Sequence, residues 1–439
     1  MTGGPEDLAR AEDQLRSLEL FGMRFGLDRM RRMMTALDSP ERRFDCVQVL
    51  GTNGKSSTTR MAAAILQGHG LRTGAYLSPH LVSYHERVLI DGREIDDADF
   101  AEAVARAARA AERVNRTLAE DDHVTQFELL TAAALWHMAR CELDVAVIEA
   151  GLGGRYDATS VVQAPVTVLT NVGLEHTRWL GPTVTHIAEE KLAVVREGAT
   201  LVLGEQLAPQ ALAVAERVAR ERGARIVHAE ALPADLQLCA HGDFQRRNFA
   251  LARAAAEAQL RTRGIEPDER VVRDAAAAVH VRGRLQLLEH DPPTFIDGAH
   301  NPHAVDSLVQ SLPALTDAQG LALVLGVLED KDASSMLATL LPRCECAWFT
   351  APPSARALPP AALQSLARQQ GFERSECEPL PARALALAQR WARAHARSVL
   401  VTGSVYLVGA LFLNDGGGTP RDDASRGRQA ATLSLRGVR

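Results

Sequence analysis

Residues 46–57 read Cys-Val-Gln-Val-Leu-Gly-Thr-Asn-Gly-Lys-Ser-Ser, and this stretch decides the fold. Cys46 to Leu50 is short, apolar and β-branched, so it reads as a buried strand. The helix-like run 55–70, KSSTTRMAAAILQGHG, ends at a glycine. Between them lie Gly51, Thr52, Asn53, Gly54, Lys55, Ser56 and Ser57, the place where a phosphate is expected. Backbone N–H groups of a Gly-rich turn and a helix N-terminus point at an anion there. Lys55 would reach the outer phosphates of a nucleotide, and Ser56 or Ser57 would touch its Mg²⁺. Val49 stands where the longer G-x-x-x-x-G-K-[ST] pattern has glycine, so the loop is a shortened variant.

Outward from the loop, strand-like and helix-like stretches alternate. RVLIDGREI (87–95) predicts a hairpin turning at Asp91-Gly92. Residues 99–119 and 126–140 are Ala-rich and predicted helical, while 144–154, 165–173 and 200–204 hold apolar strands. Apolar strands separated by helices pair in parallel, which places the chain in the α/β class. A second strand set, TFIDGAH, LALVLGVL, CAWFTAPP and SVLVTGS, starts after about residue 284. The expected division is therefore a P-loop-containing, mainly parallel-sheet domain over 1–284 and a smaller α/β domain over 285–413. Residues 414–439 lack periodicity and are expected to form a disordered tail.

A length of 439 residues suits two or three domains. With 46% hydrophobic and 24% charged residues, the chain is no disordered protein. The net charge of −6 argues against a nucleic-acid-binding surface. Cys46, Cys141, Cys239, Cys344, Cys346 and Cys377 are scattered and read as reduced structural thiols. The acidic N-terminal stretch lacks the apolar core of a signal peptide, and no run is long enough to span a membrane. The expected location is the cytoplasm.

Further candidates stand just past strand ends, where a doubly wound sheet binds its ligands. Ser78 follows the strand TGAYL, Glu149 ends DVAVIE, and His176 follows PVTVLTNVG. A hydroxyl, a carboxylate and an imidazole from three such ends would share one Mg²⁺, although Mg²⁺ prefers oxygen. Lys191, after Glu189 and Glu190, reads locally as a solvated charge on a helix. In the second strand set, Asp297 and His300 follow one strand and Arg284 precedes it. Asp297 would accept from a ribose, or cap the helix that follows.

The combination resembles folylpolyglutamate synthase, including the bifunctional dihydrofolate synthase/folylpolyglutamate synthase of the Mur ligase superfamily. The similarity rests on GTNGKSS, SPHLVSYHERV, TQFE, EAGLGGRYDAT, EHTRWLG, EEKLAVV, GRLQ, DGAHNPHA, VLEDKD and TGSVYLVG, in family order over residues 20–412. It implies a P-loop ATPase domain followed by a Rossmann-like domain, and ATP-driven attachment of L-glutamate to folate or dihydropteroate through an acyl phosphate. It implies ATP contacts by the loop, Asn248, Arg284 and Asp297. It implies pterin-side contacts by Thr125, Gln126, Phe127 and Glu128, and by Arg155, Tyr156, Asp157 and Ala158. Ser78, Glu149 and His176 match its Mg²⁺ ligands, and Lys191 its carbamylated lysine, which would help hold a second ion. Lys55, Lys191 and His300 are the implied catalytic groups, with His300 the candidate base for the glutamate amine. A monomer is expected. Ser56, Gln126, Glu175, Glu189 and Leu192 depart from the common family pattern.

Two rival readings remain open at this stage. Other Mur ligases carry an additional N-terminal domain, for which a phosphate loop at residue 51 leaves no room. A P-loop regulator without ligase chemistry would need neither the D-x-A-H-N-P segment nor the Glu/His/Lys cluster.

Overall fold

The computed structural model describes residues 5–18, 26–314 and 320–414. The first sheet runs in the order β4-β3-β2-β5-β1-β6-β7-β8. Its strands are β1 (Asp45–Leu50), β2 (Thr73–Tyr76), β3 (Val88–Ile90), β4 (Arg93–Glu94), β5 (Val145–Glu149), β6 (Val166–Leu169), β7 (Thr200–Leu203) and β8 (Arg225–His228). Pairing is parallel except at one edge, where β3 and β4 form the hairpin predicted at Asp91-Gly92. The chain moves from β1 to one side and returns to the other at β6. Loops past β1, β5 and β6 therefore open into one crevice.

The near-continuous apolar strands reflect burial on both faces. Cys46, Ala146 and Ile148 face one core, packed under α1 (Pro5–Leu18), α2 (Asp28–Ala36), α4 (Asp97–Asn115) and α5 (Gln126–Arg140). Their strand neighbours Val47, Val49, Val145 and Val147 face the other, packed under α3 (Lys55–Gly68), α9 (Asp243–Thr262) and α10 (Glu269–Ala278). Gln48 breaks the apolar run of β1 for a reason. It is buried, and its amide donates to Ser160 Oγ at 3.2 Å, fixing the turn that carries Asp157. The other helices of this unit are α6 (Thr177–Leu180), α7 (Val184–Leu192) and α8 (Pro209–Arg222).

The second sheet runs in the order β13-β12-β11-β14-β10-β9. It comprises β9 (Gln286–His290), β10 (Pro293–Ile296), β11 (Leu321–Leu325), β12 (Cys344–Phe349), β13 (Ser375–Cys377) and β14 (Val399–Thr402), with only β9 antiparallel. Two cores flank this sheet as well. Asn414 closes the last helix, Val405–Asn414, rather than opening the tail. The expectation of disorder beyond it falls outside the described residues. Among the described residues no helix is long and apolar enough to cross a membrane.

One buried ion pair ties the helical layer to the crevice. Arg29 on α2 donates through Nε to both Glu128 oxygens at 3.0 and 3.1 Å, and through a terminal nitrogen to Asp122 at 3.0 Å. Arg29 and Glu128 are each 5% exposed. Removing one partner strands a buried charge, which costs about 3–5 kcal/mol. Arg29→Ala is expected to lower the unfolding midpoint in a denaturant titration, and Arg29→Ala with Glu128→Gln to recover part of that loss. Equal midpoints for wild type and Arg29→Ala would show that the pair contributes nothing.

Candidate active site

The crevice is one cavity of about 1230 Å³ walled by both sheets. Its centre is the loop after β1. Gly54 caps α3 with φ of 83°, a left-handed conformation that favours glycine, and an added Cβ would collide with Asn248 Oδ1 of α9. Asn248 thus borders the loop through space that only a glycine leaves. Gly51, with φ of 150°, has the same relation to Thr170 just past β6.

Hydrogen bonds from the β6 end hold the loop. Thr170 Oγ1 and Asn171 Nδ2 donate to Asn53 O at 2.6 and 3.1 Å, and Asn53 N donates to Asn171 Oδ1 at 3.0 Å. Gly173 N donates to Thr52 Oγ1 at 2.9 Å. Lys55 folds back, donating to Gly51 O at 3.1 Å and Thr52 O at 3.0 Å. Its amine therefore lies over the loop where an anion would replace those carbonyls.

Glu149 stands beside the loop because β5 pairs with β1 in register Val49↔Glu149. Its oxygens accept from Ser56 Oγ at 2.9 Å and from the backbone N–H of Ser78 at 3.0 Å. Burial pushes its carboxyl up, while Lys55 pulls it down. Among the described residues no cation pairs with it within ion-pair distance. A buried carboxylate without a paired cation, with the Ser56 hydroxyl and the Ser78 backbone beside it, fits a hard divalent cation. Among the described residues no group of three His, Cys, Asp or Glu side chains is arranged to hold a metal ion. A metal here would therefore draw on hydroxyl oxygens and on His176. That imidazole has its pKa lowered, first by burial.

Lys191 overturns its local reading. It is 4% exposed, and its Nζ donates to Gly51 O at 2.9 Å, behind the loop rather than toward solvent. Burial first, and the Lys55 charge second, bring its amine down to about 7. The acidic neighbours that suggested a solvated face have other partners. Glu189 pairs with Arg217 at 2.7 Å, and Glu190 with Arg155 at 3.2 Å.

The pterin-side candidates divide. Thr125 and Glu128 cap α5 reciprocally, and Glu128 also holds Arg29, so both have structural tasks at the cavity wall. Gln126 donates to Leu15 O at 2.9 Å and Tyr84 Oη at 3.2 Å. Phe127 lies against Gly151, whose missing side chain admits the ring. Asp157 is buried and accepts from Leu152 N at 2.6 Å and Thr159 N at 3.0 Å. Tyr156 is 47% exposed on the same wall. Of the predicted residues, Gly51, Arg155 and Lys191 do not line the cavity; the others do.

From the second sheet, Asp297 accepts from Leu285 N and Ala299 N, both at 2.7 Å, and burial pushes its carboxyl up. Arg284 lies against Gly298, whose missing Cβ leaves room for the guanidinium. Sequence reasoning missed the contacts that join the two units. Asn53 and Asn301 exchange amide bonds at 3.0 and 3.3 Å. Glu175 accepts from Lys331 Nζ at 3.1 Å and lies 3.5 Å from His300 Nε2. Burial opposes ionisation of Glu175, but His300, Lys331 and His176 override it and hold the carboxyl far below its usual range. Glu175 registered only as a departure from a family pattern. Its position after β6 was the available signal, since the strand-end rule selects it as well as His176.

A Gly-rich loop between strand and helix on one parallel sheet, facing a second α/β sheet across a shared cavity, is the layout of a two-unit nucleotide-dependent ligase of the Mur type. Residues 283–405 match the Mur ligase, glutamate ligase domain. The folylpolyglutamate synthase of Lacticaseibacillus casei is 32% identical over 407 residues, covering 87% of this chain and 93% of that protein. The dihydrofolate synthase/folylpolyglutamate synthase of Escherichia coli K12 is 36% identical over 315 residues, 69% of this chain and 72% of that one. The structure of Mycobacterium tuberculosis folylpolyglutamate synthase complexed with ADP superposes with a TM-score of 0.88 at 31% identity, covering 94% of this chain and 99% of that one. The chain belongs to the folylpolyglutamate synthase family.

The loop geometry carries its own test. Gly54→Ala forces a left-handed alanine, at about 1–2 kcal/mol, and displaces Asn248. Loss of nucleotide binding with a small fall in stability is expected, read by fluorescent-nucleotide titration and denaturant unfolding. Unchanged nucleotide affinity would refute the assignment of the cradle to this glycine.

Proposed function

We propose that the chain joins L-glutamate to a folate-type acceptor, and to dihydropteroate, using ATP and passing through an acyl phosphate. The observation that carries this is the single cavity. It brings the phosphate loop, the buried Glu149, an aromatic wall at Phe127 and Tyr156, and the Asp297–His300 segment together. Residues 1–284 then act as the ATP-binding unit and 285–413 as the glutamate-ligase unit. One chain supplies both walls, so we take the monomer as the working form.

The acceptor carboxylate attacks the γ-phosphorus, and the bond to the ADP oxygen breaks. Loop N–H groups, Lys55 and Ser57 surround the phosphates, with Asn248, Arg284 and Asp297 on the rest of the nucleotide. Ser78, Glu149 and His176 would hold one Mg²⁺ and a carbamate on Lys191 a second. Bound Mg²⁺ neutralises charge on the phosphoryl group in transfer. The glutamate amine then attacks the acyl carbon, gives up a proton, and inorganic phosphate leaves. His300 suits the proton acceptor. Its Nδ1 is anchored on Gly298 O at 2.9 Å, which orients the ring, and its Nε2 lies 3.5 Å from Glu175. The Asn53–Asn301 bridge joins the two walls of the cavity, and closing those walls would keep water from the acyl phosphate. A carbamate forms when a neutral amine attacks CO₂, and an amine near 7 is substantially neutral at physiological pH.

Lys55→Ala is expected to lower kcat by about 10²–10³-fold, the usual scale for losing one preorganised charge-stabilising donor. The readout is ADP release that requires both acceptor and glutamate. Release without either substrate would identify a nucleotide switch instead of a ligase. Lys191→Ala should likewise lose most of its rate, on the order of a hundredfold, and recover part of it in acetate. Labelled bicarbonate should yield a carbamate signal on wild type alone. A fully active alanine variant would show that the amine is only a support for the Gly51 carbonyl.

A further inference from the structure

The acceptor half of the cavity contains a cation that the described chain does not neutralise. Arg87 ends the short turn Tyr84–Arg87, and its carbonyl accepts from Leu77 N at 2.9 Å, which places it beside Ser78. Its Nε donates to His80 Nδ1 at 2.9 Å, and its guanidinium lies 5.7 Å from the centre of the Tyr84 ring. The buried Tyr76 hydroxyl is a further neighbour. These contacts orient the planar group without supplying charge. Among the described residues no carboxylate pairs with it within 4.0 Å. The adjacent Glu86 points elsewhere, accepting from the backbone N–H groups of Leu81, Val82 and Ser83 at 2.9, 2.7 and 2.9 Å.

Most other cations of the cavity have different settings; Arg247, also without an ion pair among the described residues, sits next to Asn248 on α9 rather than beside Ser78. Arg246 donates to Leu236 O and Pro233 O, and Lys55 to its own loop. Arg356 lies 3.6 Å from Asp330, and Arg284 lies against Gly298 beside Asp297. A partly buried guanidinium held in place without a counter-charge costs free energy that an incoming anion recovers. A planar fork suits a carboxylate in particular.

We propose that Arg87 binds the non-reacting α-carboxylate of an acceptor that already ends in glutamate. The reacting carboxylate must stand near Lys55 and the Ser78 strand end. The α-carboxylate of the same residue lies only a few carbon atoms away, toward Arg87. Dihydropteroate has one carboxylate, which reacts, and so offers Arg87 nothing comparable. Arg87 is thus a specificity residue that favours chain extension over first addition. This inference rests on the folate-ligase reading above.

The test is steady-state kinetics of wild type, Arg87→Lys and Arg87→Ala with tetrahydrofolate and with dihydropteroate. The wild type is also titrated with tetrahydrofolate whose α-carboxylate is capped as an amide. Losing a charge-assisted contact should raise KM for tetrahydrofolate about tenfold or more relative to any change for dihydropteroate, with Arg87→Lys intermediate and KM for ATP unmoved. Wild type should bind the capped acceptor about tenfold less tightly, and Arg87→Ala should not distinguish capped from uncapped. Equal effects on both acceptors, or no discrimination against the cap by wild type, would overturn the proposal. Should Arg87→Ala fail to fold, the cap discrimination of wild type against Arg87→Lys decides the matter. Wild type turning over neither acceptor would instead sink the folate-ligase reading itself.

Discussion

β1 lies in parallel register between β5 and β6, with Val49 opposite Glu149 and Leu50 opposite Leu169, and this register decides where the reacting groups stand. It brings three strand ends level. The loop at Gly51, the carboxylate of Glu149 and the Thr170–Asn171 pair therefore meet at one point. Because successive side chains in a strand alternate faces, slipping either neighbour by one residue would turn its side chains to the opposite core. Glu149 would then point into apolar packing, and Thr170 would lose Asn53 O. Valines and small residues filling both cores make such a slip costly, so the packing enforces the chemistry.

The same convergence creates an electrostatic problem. Gly51 O accepts from the amines of both Lys55 and Lys191, at 3.1 and 2.9 Å. Two ammonium groups on one carbonyl repel, and Lys191 has lost its hydration as well. A neutral Lys191 relieves the repulsion. A phosphate drawing Lys55 off the carbonyl relieves it from the other side. Two amines sharing one carbonyl thus favour an anion at the loop, and the backbone carbonyls hold Lys55 beside it.

How far the sequence discloses this depends on the kind of contact. Strands were legible because burial on both faces leaves continuous apolar runs, and the loop because its glycines and lysine keep a fixed order between strand and helix. The shared position of Glu149 and His176 followed from the strand-end rule. Lys191 was misleading locally, since Glu189 and Glu190 look like a solvated face. Their partners Arg217 and Arg155 are distant in sequence, so nothing nearby marks the lysine as the buried residue of the three. Thr125 and Glu128 were legible as part of a segment but not in their tasks. The capping box is a local pattern, whereas the Arg29 pair spans 99 residues. Arg155 belongs to the same group, expected in the cavity yet held outside it by Glu190.

Contacts between the two units were the least legible, and the reason is geometric. Asn53 and Asn301 are separated by 248 residues, and each sits in a segment with a sufficient local explanation, a phosphate loop and a helix N-cap. Asn301 does cap its helix, with Oδ1 accepting from Ala304 N at 2.8 Å, and its amide then reaches the loop. One side chain therefore fixes the start of a helix in the second unit and the phosphate loop in the first. Glu175 works similarly, joining His176 on one side to Lys331 and His300 on the other. Both bridges end on the loop or on the strand end beside it, so the contacts that join the two units start from the same place as the loop itself.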